Sequence, residues 1–285
     1  MLFPKGIWIF IGVSLLLCSI GFHRFVWFMS VGYGLSAAGI GAALLVYSLV
    51  NHQFTILSAL QCIVMVVYGF RLGGFLLIRE LKNEKYRAKA SEVGLNMNVP
   101  FFVSIFMWLY CGFFYVFQSA SPVYRQLNGA TGKATASLLI GVVISALGVY
   151  MEATADKQKS AAKELNPNMP AMTGLFKLCR CPNYFGEMLF WTGTFVSGFG
   201  VLQGAQWIFA LIGYAEIMFV MISGAKRVET RHIKHYGNSE EYNHYADTTP
   251  LLIPFVPLYH MTSPEKIAKE EAAKKAKQEA KAKKQ

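Results

Sequence analysis

Seven apolar runs of membrane length fill most of this chain, at about 6–22, 25–50, 54–78, 99–117, 134–151, 184–203 and 206–225. A helix needs about 20 residues to cross some 30 Å of hydrocarbon, so the pattern predicts an all-α polytopic membrane protein with about seven transmembrane helices. Only Asn51, His52 and Gln53 separate the second run from the third. No small-residue cleavage site follows the first run, which therefore reads as a retained helix and not as a signal peptide. The 285 residues are 54% hydrophobic and 15% charged, too apolar for an ordinary soluble domain of this length.

The charges cluster. Arg79, Lys82, Lys85, Arg87 and Lys89 lie in loop 79–98, and Lys157, Lys159, Lys163, Lys177 and Arg180 in loop 152–183. Twelve Lys or Arg follow residue 225, whereas 118–133 carries only Arg125 and Lys133. Seven spans put the three rich segments on one side, which the positive-inside rule makes cytoplasmic, with the N-terminus outside and the C-terminus cytoplasmic. The net charge of +11 thus follows membrane topology, which argues against nucleic-acid binding. A membrane domain over 1–258 is expected, then a Lys/Ala-rich cytoplasmic tail over 259–285, where Ser263 is a candidate cap and Pro264 the first helical residue. The lysines three and five places from the end resemble the dilysine retrieval signal of endoplasmic reticulum membrane proteins, which points to that membrane if the source is eukaryotic. Cys179 and Cys181 flank Arg180 on the cytoplasmic side, where plain structural thiols are the expected reading.

Three polar clusters meet the cytoplasmic face. Tyr68, Arg71 and Arg79 fall on roughly one stripe of the third span. An arginine inside an apolar run is a functional candidate, with snorkelling from the helix end as the plain alternative. Glu152, Asp156, Ser160 and Lys163 recur at i, i+4, i+8 and i+11, one helical face, and on spacing alone a solvated face explains them. The third cluster sits in Arg180-Cys181-Pro182-Asn183-Tyr184-Phe185-Gly186-Glu187. If a helix begins near Pro182, Asn183 and Glu187 share a face one turn apart. Asn and Glu grip carboxamides and riboses, and Arg suits phosphate. Tyr245 joins this cluster from the tail. No Gly-rich phosphate loop is present, so a nucleotide would be held by side chains from several helices. Glu216, mid-span, needs a partner, for which Arg71 is a candidate. His232 and His235 are three apart without an evident third ligand, so no metal is expected.

Four motifs occur in order: Tyr68-Gly69-Phe70-Arg71-Leu72 with Arg79; Glu152-x-x-Ala155-Asp156-x-Gln158-Lys159; residues 180–187; and Tyr242-x-x-Tyr245 with Thr248-Thr249-Pro250 and Ile253-Pro254. Together they resemble a membrane family related to the steroid 5-alpha-reductases, whose signature is Arg-His-Pro-Asn-Tyr-Phe-Gly-Glu. The resemblance covers roughly residues 60–258. It implies a seven-helix membrane fold with NADPH in a cytoplasm-facing cavity. Asp156, Asn183, Glu187 and Tyr245 would contact the cofactor, with Glu152, Lys163 and Arg180 beside them. Tyr68, with Arg71 near it, would hydrogen-bond the carbonyl of a lipid-like substrate: a steroid, sterol, polyprenol or enoyl thioester. Hydride would pass to the β carbon of a double bond conjugated to that carbonyl.

This chain departs from the pattern twice. Cys181 replaces the signature histidine. The second-helix acid of steroid reductases has no clear counterpart, His52 and Gln53 being the nearest polar residues. Two other classes compete with the reductase. Isoprenylcysteine carboxyl methyltransferases share a related helical core and an Arg-His-Pro motif, and use S-adenosylmethionine; the continuation Asn-Tyr-Phe-Gly-Glu favours the reductase. A non-enzymatic membrane protein would carry eroded polar motifs, whereas Tyr68, Asp156, Asn183 and Glu187 are intact. Oligomeric state is not legible.

Overall fold

A computed structural model describes residues 4–82, 99–269, 272 and 273. Every regular element among them is helical. The helices are α1 (Ile7–Cys18), α2 (Val31–Val50), α3 (Ile56–Lys82), α4 (Phe101–Gln118), α5 (Ala120–Leu127), α6 (Thr135–Leu165), α7 (Pro182–Val196), α8 (Gln206–Tyr236) and α9 (Glu240–Thr248). By length and composition, five stretches among the described residues can cross a membrane: Phe25–Val50, Ile56–Ile78, Phe101–Gln118, Thr135–Leu165 and Gln206–Tyr236.

The first and sixth of the expected spans come out shorter, for local reasons. α1 gives way after 12 residues to two 3-10 turns, Ser19–Phe22 and Phe25–Phe28. α7 stops after 15 residues, where Ser197-Gly198-Phe199-Gly200 turns the chain with Gly200 at φ 79°. A positive φ there suits glycine and little else. Lys85, Arg87, Lys89, the Arg79 side chain and the dilysine end fall outside the described residues. In the tail, Ser263 caps a short helix over 264–269: its carbonyl accepts from Ile267 N–H at 3.0 Å and its hydroxyl from Lys266 N–H at 3.2 Å.

The chain divides into two compact units, Met1–Val149 with Leu189–Ile217, and Tyr150–Met188 with Met218–Gln285. In the first, helices approach through small residues, the common way to bring helices together where lipid supplies no hydrophobic drive. A Cβ on Gly69 of α3 would lie 2.3 Å from the carbonyl oxygen of Gly34 in α2. Gly141 and Gly193 are equally close in α6 and α7, where the Ser145 hydroxyl donates to Phe190 O at 3.0 Å. The expected partner of Glu216 is corrected here: Gln118 Nε2 donates to its Oε2 at 2.6 Å. Arg125, in sequence only a sparse loop charge, is buried in α5. Its guanidinium donates to the carbonyls of Ser197, Ala130 and Lys133, which ties α5 to the turn after α7 and to the 129–134 loop.

In the second unit, Ala155 of α6 packs with Ala171 and Phe176, which fixes connection 166–178 along the polar half of α6. Cys181, Ala225, Val228, Leu251 and Leu252 form a second apolar cluster, which brings the post-α9 segment over α8.

Candidate functional site

The second unit gathers most of the candidate residues. α7 starts at Pro182, where proline's missing N–H costs nothing. Asn183 is half-buried one turn ahead of the buried Glu187. On the C-terminal half of α6, Glu152 is buried and Asp156 half-buried, four residues on.

Arg180 is the centre of the unit and is 4% exposed. Its guanidinium donates to Glu229 Oε1 at 3.0 Å and to the carbonyl of Tyr259, and its backbone N–H donates to Pro250 O at 2.8 Å. Glu229, fully buried in α8, also accepts from Met261 N–H on Oε2 at 2.9 Å and meets His260 Nδ1 at 3.2 Å. His260 Nε2 in turn meets Asp247 Oδ1 at 2.9 Å. Glu229, Asp247 and His260 were not candidates from the sequence. Glu229 stands in the run Lys226-Arg227-Val228-Glu229-Thr230-Arg231, which reads as a solvated face until the chain returns over it at 249–262.

Two candidates are already engaged. Lys163 Nζ donates to Pro167 O (3.0 Å), Met169 O (2.9 Å) and Tyr236 Oη (2.5 Å), so its three protons tie the 166–169 turn to α8. The Tyr245 hydroxyl donates to Phe176 O at 2.7 Å, and burial pushes its pKa well above the ordinary tyrosine range. The Arg180 guanidinium and the Tyr242 hydroxyl lie beside each other, and neither Arg180 Nε–H nor that hydroxyl bonds to a further group among the described residues. A guanidinium and a phenol hydroxyl side by side suit an anionic, phosphate-like group.

Tyr68 and Arg71 belong to the first unit. Tyr68 is fully buried in α3 and stacks on Phe190 with centroids 3.7 Å apart. Arg71 is half-buried one turn further along.

Cys181 is 1% exposed in the apolar cluster with Val228 and Leu252, so the position of the signature histidine is a packing position here. Cys179 is equally buried, and burial pushes both thiols up to about 12. At pH 8 only ~1 in 10,000 of either would be thiolate, the reactive form. We expect neither to take up iodoacetamide in the folded protein at pH 8, and both to react once it is unfolded. Mass spectrometry of the labelled peptides checks this, and rapid labelling in the folded state would contradict the packing reading.

A family profile described as "Protein of unknown function (DUF1295)" matches residues 25–249. The chain belongs to this family. The DUF1295 match takes in the Tyr68–Arg71, Glu152–Lys163, Arg180–Glu187 and Tyr245 positions. The chain is also 29% identical over 120 residues to "Steroid 5-alpha-reductase DET2" of Arabidopsis thaliana. That alignment covers 41% of this chain and 41% of the relative. No solved structure matches the chain.

Proposed function

We propose that the protein is a membrane-embedded, NADPH-dependent reductase of a carbon–carbon double bond conjugated to a carbonyl in a lipid-like substrate. The observation that carries the reading is the Arg180 site: a buried guanidinium at the head of α7 whose Nε–H and whose neighbour, the Tyr242 hydroxyl, bond to no further group among the described residues. The likeness to a steroid 5-alpha-reductase supports the same direction.

These residues fit the proposed cofactor. Arg180 and Tyr242 would meet a phosphate, with Lys159 and Arg231 adding charge. Asn183 and Glu187, one turn apart on α7, would accept and donate to the carboxamide or ribose hydroxyls, with Asp156 and Glu152 of α6 beside them. Tyr245, held by Phe176, would wall the site. When bound, NADPH supplies hydride to the β carbon of the substrate. Tyr68 would donate its hydroxyl proton as a hydrogen bond to the substrate carbonyl and stabilise the negative charge that builds on oxygen. Arg71 would add positive charge near that oxygen. The α carbon would take its proton from water. A lipid-like substrate suits an internal membrane such as the endoplasmic reticulum.

Thermal unfolding of the detergent-purified full chain with NADPH, NADH or S-adenosylmethionine tests the reading. Ligand at about 100 times its Kd stabilises by about 2.7 kcal/mol. We expect NADPH to raise the midpoint, and Glu187→Gln or Asn183→Ala to remove that rise while the ligand-free midpoint holds. A rise in both variants equal to wild type would remove the site assignment. A rise with S-adenosylmethionine alone would make the protein a methyltransferase, and none with any ligand a non-enzymatic membrane protein.

A further inference from the structure

The first unit holds a buried chain of three hydrogen-bonding side chains that the sequence motifs name only in part. Trp191 Nε1–H in α7 donates to the Tyr33 hydroxyl oxygen at 2.5 Å, and that oxygen lies 2.8 Å from the Tyr68 hydroxyl oxygen. Tyr33 is 8% exposed, Trp191 1% and Tyr68 0%. Indole is a donor only, so Tyr33 must accept from Trp191 and keeps its own proton for another acceptor.

The rings fix the geometry. Tyr33 and Trp191 each pack edge-on to Tyr68, and their own rings are 6.1 Å apart, so the three rings form one closed cluster. Tyr68 is held flat on Phe190. Tyr115 also touches Tyr33, but its hydroxyl donates to Phe28 O at 2.6 Å and so does not join the chain. The small-residue seam makes the approach possible, since Gly34 follows Tyr33 and Gly69 follows Tyr68 at the closest backbone contact of α2 and α3.

We infer that Tyr33, backed by Trp191, is the positioning residue that polarises the Tyr68 hydroxyl toward a substrate carbonyl. This rests on the reductase reading above. When negative charge builds on the carbonyl oxygen, Tyr68 donates to it and Tyr33 donates to Tyr68. All three bonds then point one way, Trp191 to Tyr33 to Tyr68 to substrate, and successive donors in a dry interior strengthen one another. No proton leaves Tyr33, so the chain needs no base or proton supply. Tyr33 thereby takes the second-helix place for which the sequence offered only His52 and Gln53.

The test uses the full chain in detergent with NADPH and a panel of steroid, sterol and polyprenyl enones. In Tyr33→Phe, kcat should fall about tenfold, the scale of one lost hydrogen bond in the transition state. KM for the enone should stay within about twofold, since Phe keeps the ring and its packing. Trp191→Phe should lower kcat by a smaller factor, about threefold. Restoring the hydroxyl with 3-fluorotyrosine at position 33 should restore kcat, which a merely space-filling role would not require. The same label gives a fluorine resonance that Tyr68→Phe and Trp191→Phe should each shift. A resonance unmoved by Tyr68→Phe overturns the chain whatever the turnover. Wild-type reduction of an enone with unchanged kcat in Tyr33→Phe overturns this inference and leaves the reductase standing. Reduction of no enone in the panel overturns both.

Discussion

Replacing Arg180 by methionine should destabilise the protein by about 3–5 kcal/mol, the range for removing one member of a buried ion pair. The Glu229 side chain is 0% exposed and would be left charged in the interior. Met261 N–H on Oε2 and the half-exposed His260 on Oε1 would still reach it, but neither supplies the buried, permanently charged guanidinium. The loss would also free the Tyr259 carbonyl and loosen the 249–262 segment, whose return over α8 depends on the same contacts. Thermal unfolding in detergent measures the drop. The control is the double change Arg180→Met with Glu229→Leu, which should recover much of the loss because no lone charge remains buried. A single variant as stable as wild type would mean that water reaches Glu229. The double variant separates the two roles of Arg180: it should unfold near wild type yet fail to gain stability from NADPH, since the guanidinium would be gone.

The contrast between Arg180 and Glu229 shows what a sequence of this kind gives away. Arg180 stood out because it precedes a proline-led apolar run, and local order alone marks that place. Glu229 did not, because its burial comes from a segment that passes over it some thirty residues later. The helices themselves follow from apolar runs and turn residues: Pro182 opens α7, Ser263 caps the tail helix, and the glycines after Val196 end α7 before a full membrane length. Pairings between helices are of another kind. Glu216 found Gln118 and not Arg71, because side-chain partners depend on which helix faces pack. Tyr33 went unnoticed for the same reason. A tyrosine in Val31-Gly32-Tyr33-Gly34 looks like packing until Tyr68 and Trp191 arrive from two other helices. Cys181 was legible as a plain structural thiol, and its neighbours Ala225, Val228 and Leu251 make it part of an apolar core.

Tyr68→Phe should bind NADPH as wild type does and lose about 10²–10³-fold in turnover, the usual effect of removing one donor aimed at a developing oxyanion. Phenylalanine keeps the stack on Phe190, so the fold should hold. The hydroxyl removed is the last in the Trp191–Tyr33–Tyr68 series, so this variant must be at least as damaging as Tyr33→Phe. The two changes together should cost little more than Tyr68→Phe alone, because a polarising donor has no effect once the group it polarises is gone. Steady-state rates of the two single variants and the double variant with one reducible enone decide the matter. Independent, multiplying losses would mean that Tyr33 and Tyr68 act on separate groups. Normal turnover in Tyr68→Phe would mean that another donor meets the carbonyl.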